Sequence, residues 1–144
     1  MWRVIQIQKQ VKVNTRFLMI ASSVFYGFIG IGLTFLPEEI AQYLSTDVSQ
    51  NSLLISQLLR AVYVGFAMLN WMTKNNLIGG LYSRPLVLGN LAHFLVSSFA
   101  LIKIAFHSED SFGAILVLTI IYSAFTLFFG YVFMTNPGKI LNNE

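Results

Sequence analysis

The residues best suited to chemistry are one arginine, one histidine and several tyrosines that lie inside long apolar runs. Arg60 and Tyr63 share one run, and His93 and Tyr122 lie in two later runs. A guanidinium can bind an anion, a headgroup or a carbonyl oxygen, and an imidazole beside phenolic hydroxyls can move a proton. These four side chains would suit a small membrane enzyme, so the rest of the sequence must decide what they do.

Motifs for other kinds of chemistry do not occur in the sequence. It has no GxSxG elbow, P-loop, Rossmann glycine pattern or HExxH. The chain contains two histidines and no cysteine, and its apolar runs contain no carboxylate. A metal site and a catalytic carboxylate pair are therefore not predicted. The sequence favours a non-catalytic protein, with no catalytic residue assigned.

The composition points to a lipid environment. Hydrophobic residues make up 56% of the chain and charged residues 10%, whereas a soluble domain has about 25% charged residues. A soluble fold of 144 residues has too little interior to bury this much apolar surface. We therefore expect an integral membrane protein.

Four apolar runs of 20 to 23 residues are long enough to cross a membrane as helices. A helix needs about 20 residues to span a hydrocarbon core of about 30 Å, and the runs lack the alternation of membrane strands. The sequence predicts an all-α four-helix bundle, with residues 1–144 forming a single transmembrane domain. The predicted spans are Phe17–Leu36, Leu53–Thr73, Pro85–Phe106 and Phe112–Met134.

The charged residues predict an orientation. Seven of the nine basic residues lie before the first run, between the second and third, or after the fourth. The other two connections contain acids and no Lys or Arg. By the positive-inside rule, both termini are predicted to be cytoplasmic. This placement accounts for the net charge of +3 without a nucleic-acid partner.

Two shorter segments flank the first run. Residues 1–16 form a basic cytoplasmic arm, either a helix on the membrane surface or a strand-like or disordered segment. Residues 37–44 are predicted to form a short interfacial helix with Ile40, Tyr43 and Leu44 facing lipid.

Each run carries one stripe of small or polar residues at helical spacing, which predicts the face that meets the other helices. The stripes are either packing surfaces with modest hydrogen bonds or the walls of a ligand site. The candidate ligand-binding residues are Arg60, Tyr63, Asn70, Asn90, His93, Tyr26 and Tyr122.

Arg60 and His93 each have two interpretations. Arg60 lies 14 residues from Lys74, about 21 Å along a helix, which leaves about 9 Å to the outer edge of the core. It either forms an ion pair with Glu38 or Glu39 that joins the first two spans, or points inward toward a ligand. His93 lies about 12 Å deep. It is either neutral and hydrogen-bonded to Tyr26 or Tyr122, or active in proton or ligand chemistry.

Two segments together resemble a known group of proteins. The first span ends in FLPEEIAQYL, and an arginine opens the second in LLRAVYVGFAMLNWM. This pattern resembles the DoxX-like set of small four-helix bacterial membrane proteins. The resemblance implies a bundle in the bacterial inner membrane. The set includes subunits associated with quinone-linked oxidoreductases and many uncharacterised members, and the resemblance transfers no catalytic residue.

Three functions follow from these observations. The first is a non-catalytic accessory subunit of a membrane complex, or a bundle that holds a lipid-like ligand such as a quinone. The second is an oligomeric channel or carrier for small anions, and the third is a small enzyme using Arg60 and His93. The predicted partners are membrane lipid and either other membrane subunits or further copies of the chain.

Overall fold

The computed structural model describes residues 14–43, 49–75, 83–106 and 112–135, and these residues form five α-helices and no strand. The four long helices agree with the predicted spans to within three residues at every end, and each is long and apolar enough to cross a membrane. The all-α, multi-pass prediction is confirmed, while the orientation of the termini stays a prediction. Residues 1–13 of the predicted arm lie outside the described residues. The helices are α1 (Thr15–Phe35), α2 (Pro37–Tyr43), α3 (Gln50–Thr73), α4 (Ser83–Ala105) and α5 (Phe112–Thr135).

Local sequence accounts for the helix ends. The Asn14 side chain accepts a hydrogen bond from the Phe17 N–H at the start of α1. Ser49 and Ser52 exchange hydrogen bonds in a capping box before α3. Pro37 ends α1 because proline disfavours helical backbone in the residue before it, and it then begins α2.

The long helices pack as two antiparallel pairs. In the α1–α3 pair, Ser23 Oγ donates to the Ala67 carbonyl at 2.6 Å. Gly30 lies so close to α3 that an added Cβ would be 2.9 Å from a methyl group of Val64. In the α4–α5 pair, the Ser98 and Thr126 hydroxyls are hydrogen-bonded at 3.1 Å. Small and hydroxyl side chains let the backbones within each pair approach closely, as in many membrane helix pairs.

Large rings separate the two pairs from each other. The backbones of the pairs approach at few points, and the space between them contains stacked rings such as Tyr26 on Phe94, 5.0 Å apart, and Phe94 on Phe125, 4.7 Å apart. We call this set the aromatic layer. It consists of Phe25, Tyr26, Tyr63, Phe66, His93, Phe94, Tyr122, Phe125 and Phe129.

The outward faces of the long helices are apolar, as contact with lipid requires. Large side chains such as Met72 and Leu127 are each 74% exposed. At the end of α3 the Lys74 ammonium lies 3.1 Å above the ring of Trp71. A tryptophan beside a lysine at a helix end is typical of the membrane–water interface.

Candidate functional site

Six of the seven candidate ligand-binding residues lie in the bundle interior. Five are buried, and His93 is half-buried with its Nε2 atom fully enclosed. Their inward orientation is confirmed, and ligand binding by them stays a prediction. They separate into an amide cluster near the start of α1 and a tyrosine–histidine cluster near the middle of the bundle. The five buried candidates are Tyr26, Tyr63, Asn70, Asn90 and Tyr122.

The amide cluster joins the two helix pairs. Asn70 Nδ2 donates to Asn90 Oδ1 at 2.8 Å, and Asn90 Nδ2 donates to Asn70 Oδ1 at 2.9 Å. The remaining amide hydrogens reach Ser22 Oγ at 3.0 Å and the Leu86 carbonyl at 2.9 Å. Every amide hydrogen is therefore engaged within the protein. Asn70 and Asn90 act as a structural clamp, with no donor left for a ligand.

The tyrosine–histidine cluster also crosses between the pairs. The hydroxyls of Tyr63 on α3 and Tyr122 on α5 are hydrogen-bonded to each other. The His93 ring meets Tyr26 and Tyr63 edge to face, with centroids 5.2 and 5.5 Å apart. Rings in this arrangement attract one another through their electrostatic quadrupoles.

The predicted hydrogen bond from His93 to Tyr26 or Tyr122 is not formed among the described residues. Neither His93 Nε2 nor the Tyr26 hydroxyl has a hydrogen-bond partner there, and both atoms are buried. Tyr122 pairs with Tyr63 instead, and Tyr26 is stacked on Phe94. The geometry holds His93 by ring contacts.

Arg60 lies one helical turn from Tyr63, toward α2, and is half-buried. Among the described residues, no ion pair within 4.0 Å joins it to Glu38 or Glu39. The short helix α2 carries both glutamates in its first turn. The predicted clasp is thus not seen as a direct contact, and ligand binding by Arg60 stays a prediction.

A cleft of about 720 Å³ opens between the helix pairs in the half of the bundle that contains α2. Its walls are almost entirely apolar, and all five helices contribute to them. Glu39, near the α2 end, is the one charged residue in the lining that the structure describes. The lining residues are Phe25, Phe28, Ile29, Gly32, Leu33, Leu36, Glu39, Ile40, Leu59, Tyr63, Ser97, Ala100, Leu101, Ala114, Leu118 and Tyr122.

The Tyr63–Tyr122 pair forms the floor of the cleft. Of the lining residues, Phe25, Tyr63, Ser97 and Tyr122 lie farthest from α2 along their respective helices. The two tyrosines are 7% and 3% exposed, so their hydroxyls lie at a polar point in otherwise apolar surroundings. His93 and Arg60 are not among the lining residues.

The position of Ile40 corrects one prediction. It lines the cleft and is half-buried, whereas the sequence predicted that it faces lipid. The turn at Leu36–Pro37 folds α2 back over the mouth of the cleft, where α2 contacts α1 and α3. The Tyr43 side chain and Leu44, predicted to face the same way, lie outside the described residues.

The sequence did not predict the cleft, although four of its lining positions carry small residues. Gly32, Ser97, Ala100 and Ala114 leave room where a larger side chain would fill the gap between the pairs. No group of three His, Cys, Asp or Glu side chains comes together within the described ranges. The almost entirely apolar walls are of the kind that line sites for organic molecules.

Comparison of the chain with known proteins gives no relative. No family model, no curated protein and no solved structure matches it.

Proposed function

We propose that this chain is a non-catalytic protein of the bacterial inner membrane that holds a lipid-like ligand, such as a quinone, in the cleft between its helix pairs. It serves as an accessory subunit of a membrane complex, with both termini in the cytoplasm. The cleft itself carries the proposal. Its volume of about 720 Å³ falls within the range of about 300 to 1,000 Å³ that is usual for small-molecule sites.

The chemistry of the lining favours a neutral apolar ligand over an anion. Its polar side chains are Glu39 near the α2 end, Ser97, and the two floor tyrosines. A carboxylate near the mouth repels anions, and the apolar walls give them no replacement for water. The cleft is therefore unsuited to the anion channel or carrier that the sequence left open.

An enzyme built on Arg60 and His93 has less support. Neither residue lines the cleft, and His93 Nε2 is enclosed in the aromatic layer without access to it. A proton-transfer group must come within about 3 Å of its substrate. The resemblance to DoxX-like proteins agrees with a binding subunit. The location in the bacterial inner membrane and the choice of a quinone as ligand are proposed because of that resemblance.

The test fills the cleft and compares the variant with a matched control. Ala100 lines the cleft, while Ala92 on the same helix is also exposed and does not line it. Wild type, Ala100→Trp and Ala92→Trp are solubilised gently and studied by native mass spectrometry with lipid and quinone extraction. We expect wild type and Ala92→Trp to carry a bound apolar molecule and Ala100→Trp to lose it. Wild type purified with no ligand would contradict ligand binding.

The accessory role has its own measurement. Cross-linking in intact membranes, followed by purification of a tagged chain, should recover at least one further membrane protein at a constant ratio. Recovery of only the tagged chain, as monomer or as homo-oligomer, would contradict an accessory role. Ligand binding would still be tested separately by the cleft variants.

A further inference from the structure

The tyrosine pair at the floor of the cleft leaves one hydroxyl hydrogen outside any hydrogen bond among the described residues. Tyr63 and Tyr122 carry two hydroxyl hydrogens, and only one of these is used in the bond between the two oxygens. Within the described residues, the hydroxyl that accepts this bond has no acceptor for its own hydrogen. An unpaired donor in an apolar site is costly, so a molecule that fills the cleft gains by bringing an acceptor atom to this point.

The floor lies near the middle of the membrane. Tyr122 is ten residues from the start of α5 at Phe112, which corresponds to about 15 Å along the helix, or half of a hydrocarbon core of about 30 Å. An acceptor oxygen at this depth cannot belong to a phospholipid ester without drawing the charged headgroup into the hydrocarbon core. That position is therefore open only to a neutral molecule whose oxygen lies at its leading end.

The remainder of the ligand must be long and apolar. Along α1, the lining runs from Phe25 at the floor to Leu36 near the mouth, a distance of about 16 Å for eleven residues. Phe28, Ile29 and Leu33 form this wall, with Leu101 and Leu118 on the helices of the other pair. Such walls bind hydrocarbon chains with little discrimination between them. Specificity must therefore come from the floor.

We propose, building on the function proposed above, that the cleft selects a neutral, single-chain apolar molecule that ends in a carbonyl group. The carbonyl oxygen accepts the free hydroxyl hydrogen of the Tyr63–Tyr122 pair, and the hydrocarbon chain extends toward α2. Tyr63 and Tyr122 are thus the residues that set specificity, while the apolar walls supply affinity for any chain of suitable length.

The test compares two probes that differ only at the carbonyl oxygen. The first is methyl undecyl ketone with an isotopically labelled carbonyl, and the second is the alkene analogue in which CH₂ replaces the carbonyl oxygen. Binding of each to the protein in nanodiscs is measured by equilibrium dialysis, and the carbonyl stretching band is recorded by infrared difference spectroscopy. We expect wild type to prefer the ketone by about 3- to 10-fold, the value of one hydrogen bond, with a carbonyl band shifted to lower frequency.

Three variants locate the donor. In Tyr63→Phe or Tyr122→Phe, one hydroxyl remains at the floor, so each single variant should keep the preference for the ketone. The double variant Tyr63→Phe/Tyr122→Phe should bind both probes equally and lose the band shift. Because both partners are replaced by rings of the same shape, the fold should tolerate the change. Tyr26→Phe removes a buried hydroxyl that does not line the cleft and should change neither readout.

The possible failures are distinct from one another. Equal binding of the two probes by wild type, or a preference that survives in the double variant, would overturn the carbonyl inference and leave the apolar cleft as proposed. A phospholipid that wild type retains and Ala100→Trp loses would also overturn the carbonyl inference and leave the apolar cleft as proposed. If neither probe binds wild type more tightly than Ala100→Trp, the proposed function itself fails.

Discussion

The two halves of the bundle fill the space between the helix pairs in different ways. In the half near the start of α1, the short side chains of Asn70 and Asn90 bond directly to each other and draw α3 and α4 together. In the half that contains α2, the long side chains of Tyr63 and Tyr122 meet at their tips and hold α3 and α5 apart. The comparison shows how the reach of a polar side chain decides whether an interface is closed or leaves a cleft.

The largest loss of stability is expected from disrupting the Asn70–Asn90 clamp in the closed half. Asn70→Leu leaves the buried Asn90 amide without its main partner, which should lower the free energy of unfolding by about 2 to 3 kcal/mol, the upper range for an unpaired buried group. The measurement is unfolding in mixed micelles followed by the fluorescence of Trp71. Asn70→Leu/Asn90→Leu is the control: if the clamp explains the loss, the double variant should recover part of it. Asn90→Leu completes the cycle, and a double variant that loses the sum of the two single effects would show that the amides act independently.

The second largest loss of stability is expected from forcing apart α1 and α3, which approach closely at Gly30. Gly30→Ala places a methyl group against Val64 and should cost about 1 to 2 kcal/mol, because overpacking forces the helices apart. Gly27 lies on the same helix with no atom within 4 Å of an added Cβ. Gly27→Ala in the same unfolding experiment should therefore change stability by less than about 0.5 kcal/mol, as is usual for positions without such contacts. Equal losses in the two variants would contradict the close approach at Gly30.

Breaking the tyrosine bond of the open half should cost less. Tyr63→Phe removes one interhelical hydrogen bond and leaves the Tyr122 hydroxyl facing the cleft, so the loss should be about 0.6 to 1 kcal/mol, near the average for membrane helices. The same unfolding measurement applies. A loss as large as that of Asn70→Leu would mean that the tyrosines clamp the bundle as the amides do, and the contrast between the halves would disappear.

The smallest effect should come from a bond that lies within one helix pair. Ser98→Ala removes the contact to Thr126, and Thr126 keeps its bond to the Tyr122 carbonyl at 2.9 Å. We expect a loss of about 0.6 kcal/mol or less and unchanged ligand retention in native mass spectrometry. Loss of the ligand in this variant would show that the α4–α5 pair itself shapes the cleft.

The sequence predicted the helices and their inward faces because both depend on local patterns. Spans of about 20 apolar residues mark membrane helices, and side chains three or four residues apart share a face. Tyr26, Asn70, Asn90 and Tyr122 were placed in the interior on that basis, and all four are buried. Ser22 in the amide cluster was missed because a serine in a stripe of small residues has no distinctive signal.

The partners of these residues were not predictable in the same way. The pairing of Asn70 with Asn90, and of Tyr63 with Tyr122, depends on which faces meet and at what distance. The cleft depends further on the separation of the pairs, which is set by rings that stack across the gap, such as Tyr26 on Phe94. The predicted contact of Arg60 with Glu38 or Glu39 required the path of the chain at Pro37, which hydropathy does not encode.

The arrangement of the long helices in two pairs also has a consequence for how the protein is made. Each pair consists of consecutive long helices, α1 with α3 and α4 with α5. A ribosome-bound chain can therefore insert and close its first hairpin while the second is still being synthesised, because the contacts within that hairpin need nothing downstream. Docking of the two hairpins through the aromatic layer and the Asn70–Asn90 clamp becomes the final step of assembly. Until that step, Asn70 and Asn90 lack the two hydrogen bonds that they make to each other, so each hairpin keeps an incompletely paired amide on its inner face.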